Sequence, residues 1–223
     1  MNIKLSFLLM AILAFGLASC KKTGDAPSAA VQTTNLNVTN ASTDTLNYYL
    51  NGTRVNNASY IYPLGSSGYL GVAVGQQNYQ FKSPRSPVVL MSLALTLDTG
   101  KTYSLYVAGR SADLTFSTID TLVADTGNLA TIRFVNASPD AGKLDVMVGD
   151  TVKFKSRAFK TSTVFLPVIA GDKHIRIYQS GSVTPKIDET RTLIAGKVYT
   201  LFTKGSLKGT GSAALGTGIV VNR

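Results

Sequence analysis

One stretch of this chain occurs twice: Val38-Thr39-Asn40-Ala41-Ser42-Thr43-Asp44 returns 96 residues later as Phe134-Val135-Asn136-Ala137-Ser138-Pro139-Asp140. Two further segments repeat at the same offset. Tyr69-Leu70-Gly71-Val72-Ala73-Val74-Gly75 answers to Phe165-Leu166-Pro167-Val168-Ile169-Ala170-Gly171, and Gly100-Lys101-Thr102-Tyr103-Ser104-Leu105-Tyr106 answers to Gly196-Lys197-Val198-Tyr199-Thr200-Leu201-Phe202. One offset shared by three separated motifs requires duplication of a whole domain rather than of a hairpin. A solenoid uses more and shorter repeats, so the pattern predicts two domains in series.

Within each copy the apolar residues keep a period of two. Leu46, Tyr48 and Leu50 alternate up to Asn51-Gly52, the strongest short hairpin signal, and further strands are predicted at 60–64, 69–74, 78–82, 88–97, 102–107 and 114–122. Gly75-Gln76-Gln77 reads as a second hairpin. Glutamate occurs once while Thr, Ser, Val, Tyr and Gly abound, a balance that favours pleated sheets over helices. With 44% apolar and 15% charged residues, the chain can bury a core. The expected fold is therefore all-β, two tandem immunoglobulin-like antiparallel β-sandwich domains spanning 35–125 and 126–223.

The segment before them is different. Lys4 precedes an apolar run from Leu5 to Gly16, too short for a membrane span and suited to a cleaved secretory leader over residues 1–19. It ends Leu17-Ala18-Ser19-Cys20, which resembles the lipobox of bacterial lipoproteins. That resemblance implies that Cys20, the only cysteine, becomes an acylated first residue carrying palmitate-like chains. Two or three such chains hold a protein durably, each buried methylene contributing about 0.8 kcal/mol. Residues 20–34 are small, polar and turn-rich, a flexible lipidated tether. The expected address is the cell envelope as an outer-membrane lipoprotein, with the side of the membrane undecided. The lipobox also argues against a eukaryotic glycosylation route for the Asn-x-Ser/Thr triplets.

Charge is uneven. Residues 20–125 carry seven Lys or Arg against six Asp, whereas 126–223 carry fourteen against six acids. The excess favours an anionic partner for the second domain, and its most shaped feature is a ridge of Lys153, Lys155 and Arg157, which alternation places on one strand face. The same residues also suit a charged edge strand that blocks aggregation. No aromatic residues interleave on that face, so nucleic acid is not expected as a partner.

Catalytic patterns are absent. Gly100-Lys101-Thr102 imitates the end of a phosphate-binding loop, but the required earlier glycine is Leu95 and its repeat reads Gly196-Lys197-Val198. The sole histidine, His174, lies on the outer face of an alternating strand. Asp140 and Asp145 alone make at most a weak calcium site, so no metal and no cofactor are expected. The Asn-Ala-Ser-x-Asp turns suit side-chain bracing of strand register, with a ligand site built from the same groups as the alternative.

The run Ile132 to Asp140, followed by Leu144-Asp145-Val146-Met147-Val148, resembles the opening of secreted bacterial domains catalogued as domain of unknown function 4397. The first copy departs at Thr43 and Asn47. The resemblance implies a β-sandwich, often in tandem on lipoproteins, and no catalytic residues. The resulting expectation is a lipid-anchored, non-enzymatic module for binding, adhesion or structural spacing in the envelope. The alternative is an accessory subunit that engages a glycan or an envelope protein through the basic second domain; a hydrolase with an unrecognised site comes third.

Overall fold

Each duplicated turn closes the strand that founds its repeat. A computed structural model describes residues 31–124 and 127–223, apart from the side chains of 151–153. In the first repeat, β1 (Thr33–Asn40), β4 (Ser66–Ala73), β7 (Thr102–Val107) and β8 (Thr115–Ile119) form a sheet in the order β4-β1-β7-β8. The facing sheet takes β2 (Asn47–Leu50), β3 (Thr53–Arg54), β5 (Gly75–Lys82) and β6 (Val89–Leu97) in the order β3-β2-β5-β6.

The second repeat follows the same plan. There β9 (Leu129–Asn136), β12 (Thr161–Ser162), β16 (Val198–Lys204) and β17 (Gly216–Val221) form one sheet, with β13 (Leu166–Ile169) also on β9. The other sheet runs β11-β10-β14-β15, from β10 (Leu144–Val148), β11 (Thr151–Arg157), β14 (Gly171–Gln179) and β15 (Ile187–Leu193). The tandem of immunoglobulin-like sandwiches is thus observed. Neighbouring strands are antiparallel except for one parallel pair per repeat, β1 with β7 and β9 with β16.

Alternation explains the two cores. Leu36, Val38 and Leu105 from one sheet meet Tyr48, Tyr79 and Phe81 from the other. Ile132, Phe134 and Leu201 meet Val146, Ile175 and Ile177 in the second repeat. The Asn51-Gly52 hairpin forms as the sequence predicts, both residues at positive φ (47° and 88°), which the primed two-residue turn requires.

Two local expectations are corrected. Residues 60–64 do not form a strand; they make a single bridge, Leu46 to Ile61, because the Asn40 amide and the Leu46 backbone tie Ile61 down within a turn. Gly75, at φ 80°, is not a hairpin tip either. It carries the chain from β4 to β5 across the two sheets, so that Val72 and Tyr79 enter one core from opposite sides.

The larger finding lies between the repeats. Strands β7, β9 and β16 are buried on both faces, and Gln32–Arg223 makes one unit. Their second faces meet in a separate apolar cluster of Ala41, Tyr106, Val135, Ala137, Phe202 and Val220, against which Phe116 packs. The two sandwiches therefore stack sheet against sheet, four layers deep, rather than hanging in series. Tyr106 stacks on Phe116 (5.2 Å), whereas its counterpart Phe202 lies over Gly218, where an added Cβ would come within 2.3 Å of the ring.

Candidate functional site

Titratable groups gather at two places in the interface between the repeats. The first is a buried seam. Ser104 on β7 and Thr200 on β16 are equivalent residues whose side chains face away from their own cores. Each bonds a polar residue just past the last strand of its repeat: Ser104 Oγ donates to Asp120 (2.5 Å), and Thr200 Oγ1 donates to Asn222 (2.7 Å). At the position next to Thr200 on β9 stands Arg133, where the first repeat has Asn37 beside Ser104.

Arg133 crosses the seam to Asp120, with Nη2 to Oδ1 at 2.6 Å and both side chains at most 2% exposed. Its Nε donates to Thr200 (2.9 Å), Nη2 donates to the Tyr106 hydroxyl (3.2 Å), and the guanidinium lies 4.6 Å over the Phe165 ring. Asp120 also accepts from Thr118 (3.0 Å) and from the Tyr69 hydroxyl (2.6 Å), and Tyr69 accepts in turn from Asn222 (2.8 Å). Burial, then the neighbouring Asp120 charge, pushes the Tyr69 hydroxyl well above the ordinary tyrosine range, so it stays a neutral donor. A closed network of this kind fixes two surfaces in register; it leaves the carboxylate no free lone pair for chemistry.

The second place is a cleft of about 490 Å³ at the far end of β1 and β9 from their first rungs. It is built from matching segments of both repeats: Ser42, Asp44 and Arg110 on one side, Pro139, Asp140 and Ser206 on the other. The turns themselves are braced. Asn40 donates to the carbonyls of Asp44 and Ile61 and accepts from the Ser42 amide and hydroxyl. Asn136 donates to the carbonyls of Gly142 and Arg157 and accepts from Ser138 and Thr203. Both asparagines are fully buried, which supports the register-setting role. Asp44 is held by a two-pronged contact with Arg110 (2.9 and 2.7 Å), which keeps its carboxyl below the usual range. Asp140 instead accepts from Ser206 Oγ (2.5 Å) and the Leu207 amide.

The residues singled out in the sequence fall as follows. Cys20 lies outside the described residues, as does the leader around it. The side chain of Lys153 is also outside them; Lys155 is exposed and Arg157 half-buried. Strand β11 is an edge strand, and its register slips on both sides of Phe154, with Ser156 at φ 54°, so simple alternation does not carry from Lys153 to Arg157. Asp140 and Asp145 engage different loops, since Asp145 accepts from the Ser156 amide and from Ser180. Among the described residues no group of three or more His, Cys, Asp or Glu could hold a metal ion. His174 is exposed, 3.5 Å from Asp188. Gly100 and Gly196 turn at φ 71° and 74°, and the Lys101 ammonium meets Asp98 (2.6 Å), as a turn between strands requires.

Sequence reasoning missed Arg133. The available signal was a lone cation in Leu129–Asn136, a strand apolar on both faces, which needs a buried acid opposite it.

A family model described as "Domain of unknown function (DUF4397)" matches this chain twice, over residues 34–145 and 130–219. A search of curated proteins finds no match. Among solved structures, the C-terminal domain of AlgF from P. aeruginosa aligns at 16% identity and a TM-score of 0.31, covering 43% of this chain and 99% of that one. A leucine-rich repeat protein from Bacteroides thetaiotaomicron aligns at 14% identity and a TM-score of 0.18, covering 78% of this chain and 26% of that one.

Proposed function

The chain belongs to the DUF4397 family, and from that premise we propose that it is a lipid-anchored, non-enzymatic binding or structural module of the bacterial cell envelope, held in the outer membrane through acylated Cys20. The observation that carries this reading is the use made of its buried ionic groups. Asp120 and Arg133, the pair best enclosed for chemistry, are saturated by structural contacts: each is held by side chains of its own repeat, and Arg133 joins the two sandwiches through Asp120 and Tyr106. What results is a single body of paired sheets, with the chain entering at Thr33, on the first rung of β1, and the duplicated turns at the opposite end of that strand. A tether at one end and, at the other, turns that expose Thr43, Pro139 and Asp140 suit a presenting module.

The test is fractionation of the full chain in a bacterial host supplied with labelled palmitate. Label should enter the wild-type protein and leave with Cys20→Ala, which should move to the soluble fraction. A Cys20→Ala protein that stays with membranes would sink the anchor.

A second reading has its own support. Lys155 is exposed on an edge strand of the basic second repeat, which suits contact with an anionic glycan or envelope protein through Lys153, Lys155 and Arg157. Exchanging all three for Glu should then reduce capture of the soluble tandem by envelope extracts, and unchanged capture removes the ridge.

A further inference from the structure

The outer face of the β3-β2-β5-β6 sheet carries a line of aromatic and cationic side chains that the sandwich does not require. It starts at Lys82, whose ammonium lies 4.6 Å over the Tyr49 ring. Tyr49 is the cross-strand partner of Arg54, the Arg54 guanidinium lies 5.3 Å over Tyr60, and Tyr60 meets Tyr62 edge to face at 6.4 Å. Tyr48 points into the core, so alternation turns Tyr49 outward. Tyr62 at the end of the line is 61% exposed. Beside it, Arg54, Asn57, Ser59, Tyr60 and Tyr62 line a pocket of about 350 Å³.

Three observations mark this face as a site rather than packing. First, the repeat does without it: the cross-strand pair that corresponds to Tyr49 and Arg54 is Met147 and Val152, yet the second sandwich closes equally well. Second, among the described residues neither Arg54 nor Lys82 is in an ion pair, so both charges lack an acid partner. Third, Arg54 Nε is buried without a hydrogen-bond partner while Nη2 reaches the Ser59 carbonyl (3.4 Å), which holds the guanidinium at the edge of the pocket.

We propose that this face binds an acidic polysaccharide, a glycan whose sugar rings carry carboxylates. The proposal rests on the reading of the chain as an envelope binding module and moves the contact from the basic second repeat to the first. The open face of Tyr62 takes the apolar C–H face of a sugar ring, Arg54 and Lys82 take carboxylates, and the Asn57 amide reaches hydroxyls. Tyrosine and arginine provide such contacts at low ordering cost. Single-stranded nucleic acid fits less well. The Tyr60 and Tyr62 rings stand at 76° to each other, and Lys82 and Arg54 already cover the ring faces on which bases would stack.

The experiment uses full-length chain with Cys20→Ser, which removes the lipid and keeps the result independent of anchoring. Affinity electrophoresis is run through gels holding polygalacturonate, neutral dextran or poly-dT. Polygalacturonate should retard the protein and dextran should not. Tyr62→Ala, Arg54→Gln and Lys82→Gln should each weaken that retardation about tenfold, whereas Lys155→Gln in the second repeat should not. Absence of retardation by polygalacturonate, equal retardation by dextran, stronger retardation by poly-dT, or full retardation of the Tyr62→Ala and Arg54→Gln proteins each overturns the proposal.

Discussion

Tyr106 and Phe202 occupy the same position in the two repeats and touch each other, ring centroids 6.3 Å apart. A residue that meets its own counterpart marks an isologous contact, the geometry of a twofold dimer, here made within one chain.

Because that contact joins the repeats, Phe202→Ala should weaken the whole unit. Loss of a fully buried aromatic costs about 3–5 kcal/mol. Urea denaturation followed by tyrosine fluorescence should show a lower midpoint. Gly218→Val should also destabilise, because the ring of Phe202 occupies the place of the added Cβ.

The Asp120–Arg133 pair should behave as a coupled unit. Either Asp120→Ala or Arg133→Met alone leaves a buried charge without its partner and should cost about 3–5 kcal/mol. The combination Asp120→Leu with Arg133→Met should cost clearly less than the two single changes together. A double-mutant cycle by chemical denaturation measures the difference.

The two buried turn asparagines should be comparable in weight. Asn40→Ala and Asn136→Ala each remove two hydrogen bonds to backbone carbonyls and at least one accepted bond in the turn, and each should destabilise by about 1–3 kcal/mol. Hydrogen exchange should show the loss of protection first in the turn of the altered repeat.

Acid should loosen the cleft through Asp44. Its hydrogen bonds with Arg110 lower the folded-state value below the ordinary 3.8, so the contact stabilises above the unfolded value and is lost as pH falls through the folded one. The window lies below about pH 4. Arg110 is exposed, so solvent screening keeps the effect small. Comparison of thermal midpoints of wild type and Asp44→Asn between pH 6 and 3 should show the difference closing as pH falls.

Much of the fold was legible because period-two patterns report on a single core. The strand predicted at 102–107 forms with those bounds, and Asn51-Gly52 closes its hairpin. Tyr60, Tyr62 and Leu64 keep the same period but misled, because an alternation so short arises equally in a loop pinned at Ile61. Gly75 misled because a turn between strands does not reveal whether they share a sheet. The stacking of the sandwiches was harder to see, since it depends on Ser104, Tyr106, Thr200 and Phe202, residues of mixed polarity that suit a wet surface as well as an interface. The aromatic line on the first repeat was invisible for a further reason: Tyr49, Arg54, Tyr60 and Lys82 come from three strands and a loop, and only the sheet registers bring them together.

The asymmetry of the seam has a consequence for how copies of this chain recognise one another. Two first repeats placed face to face would set each Asp120 against Asn37, and two second repeats would set each Arg133 against Asn222; neither arrangement joins an acid to a base. Only a first repeat with a second satisfies both, and that partner is already present on the same polypeptide at high local concentration. The mismatched residues thus make the seam selective, fitting one repeat to the other and neither to itself.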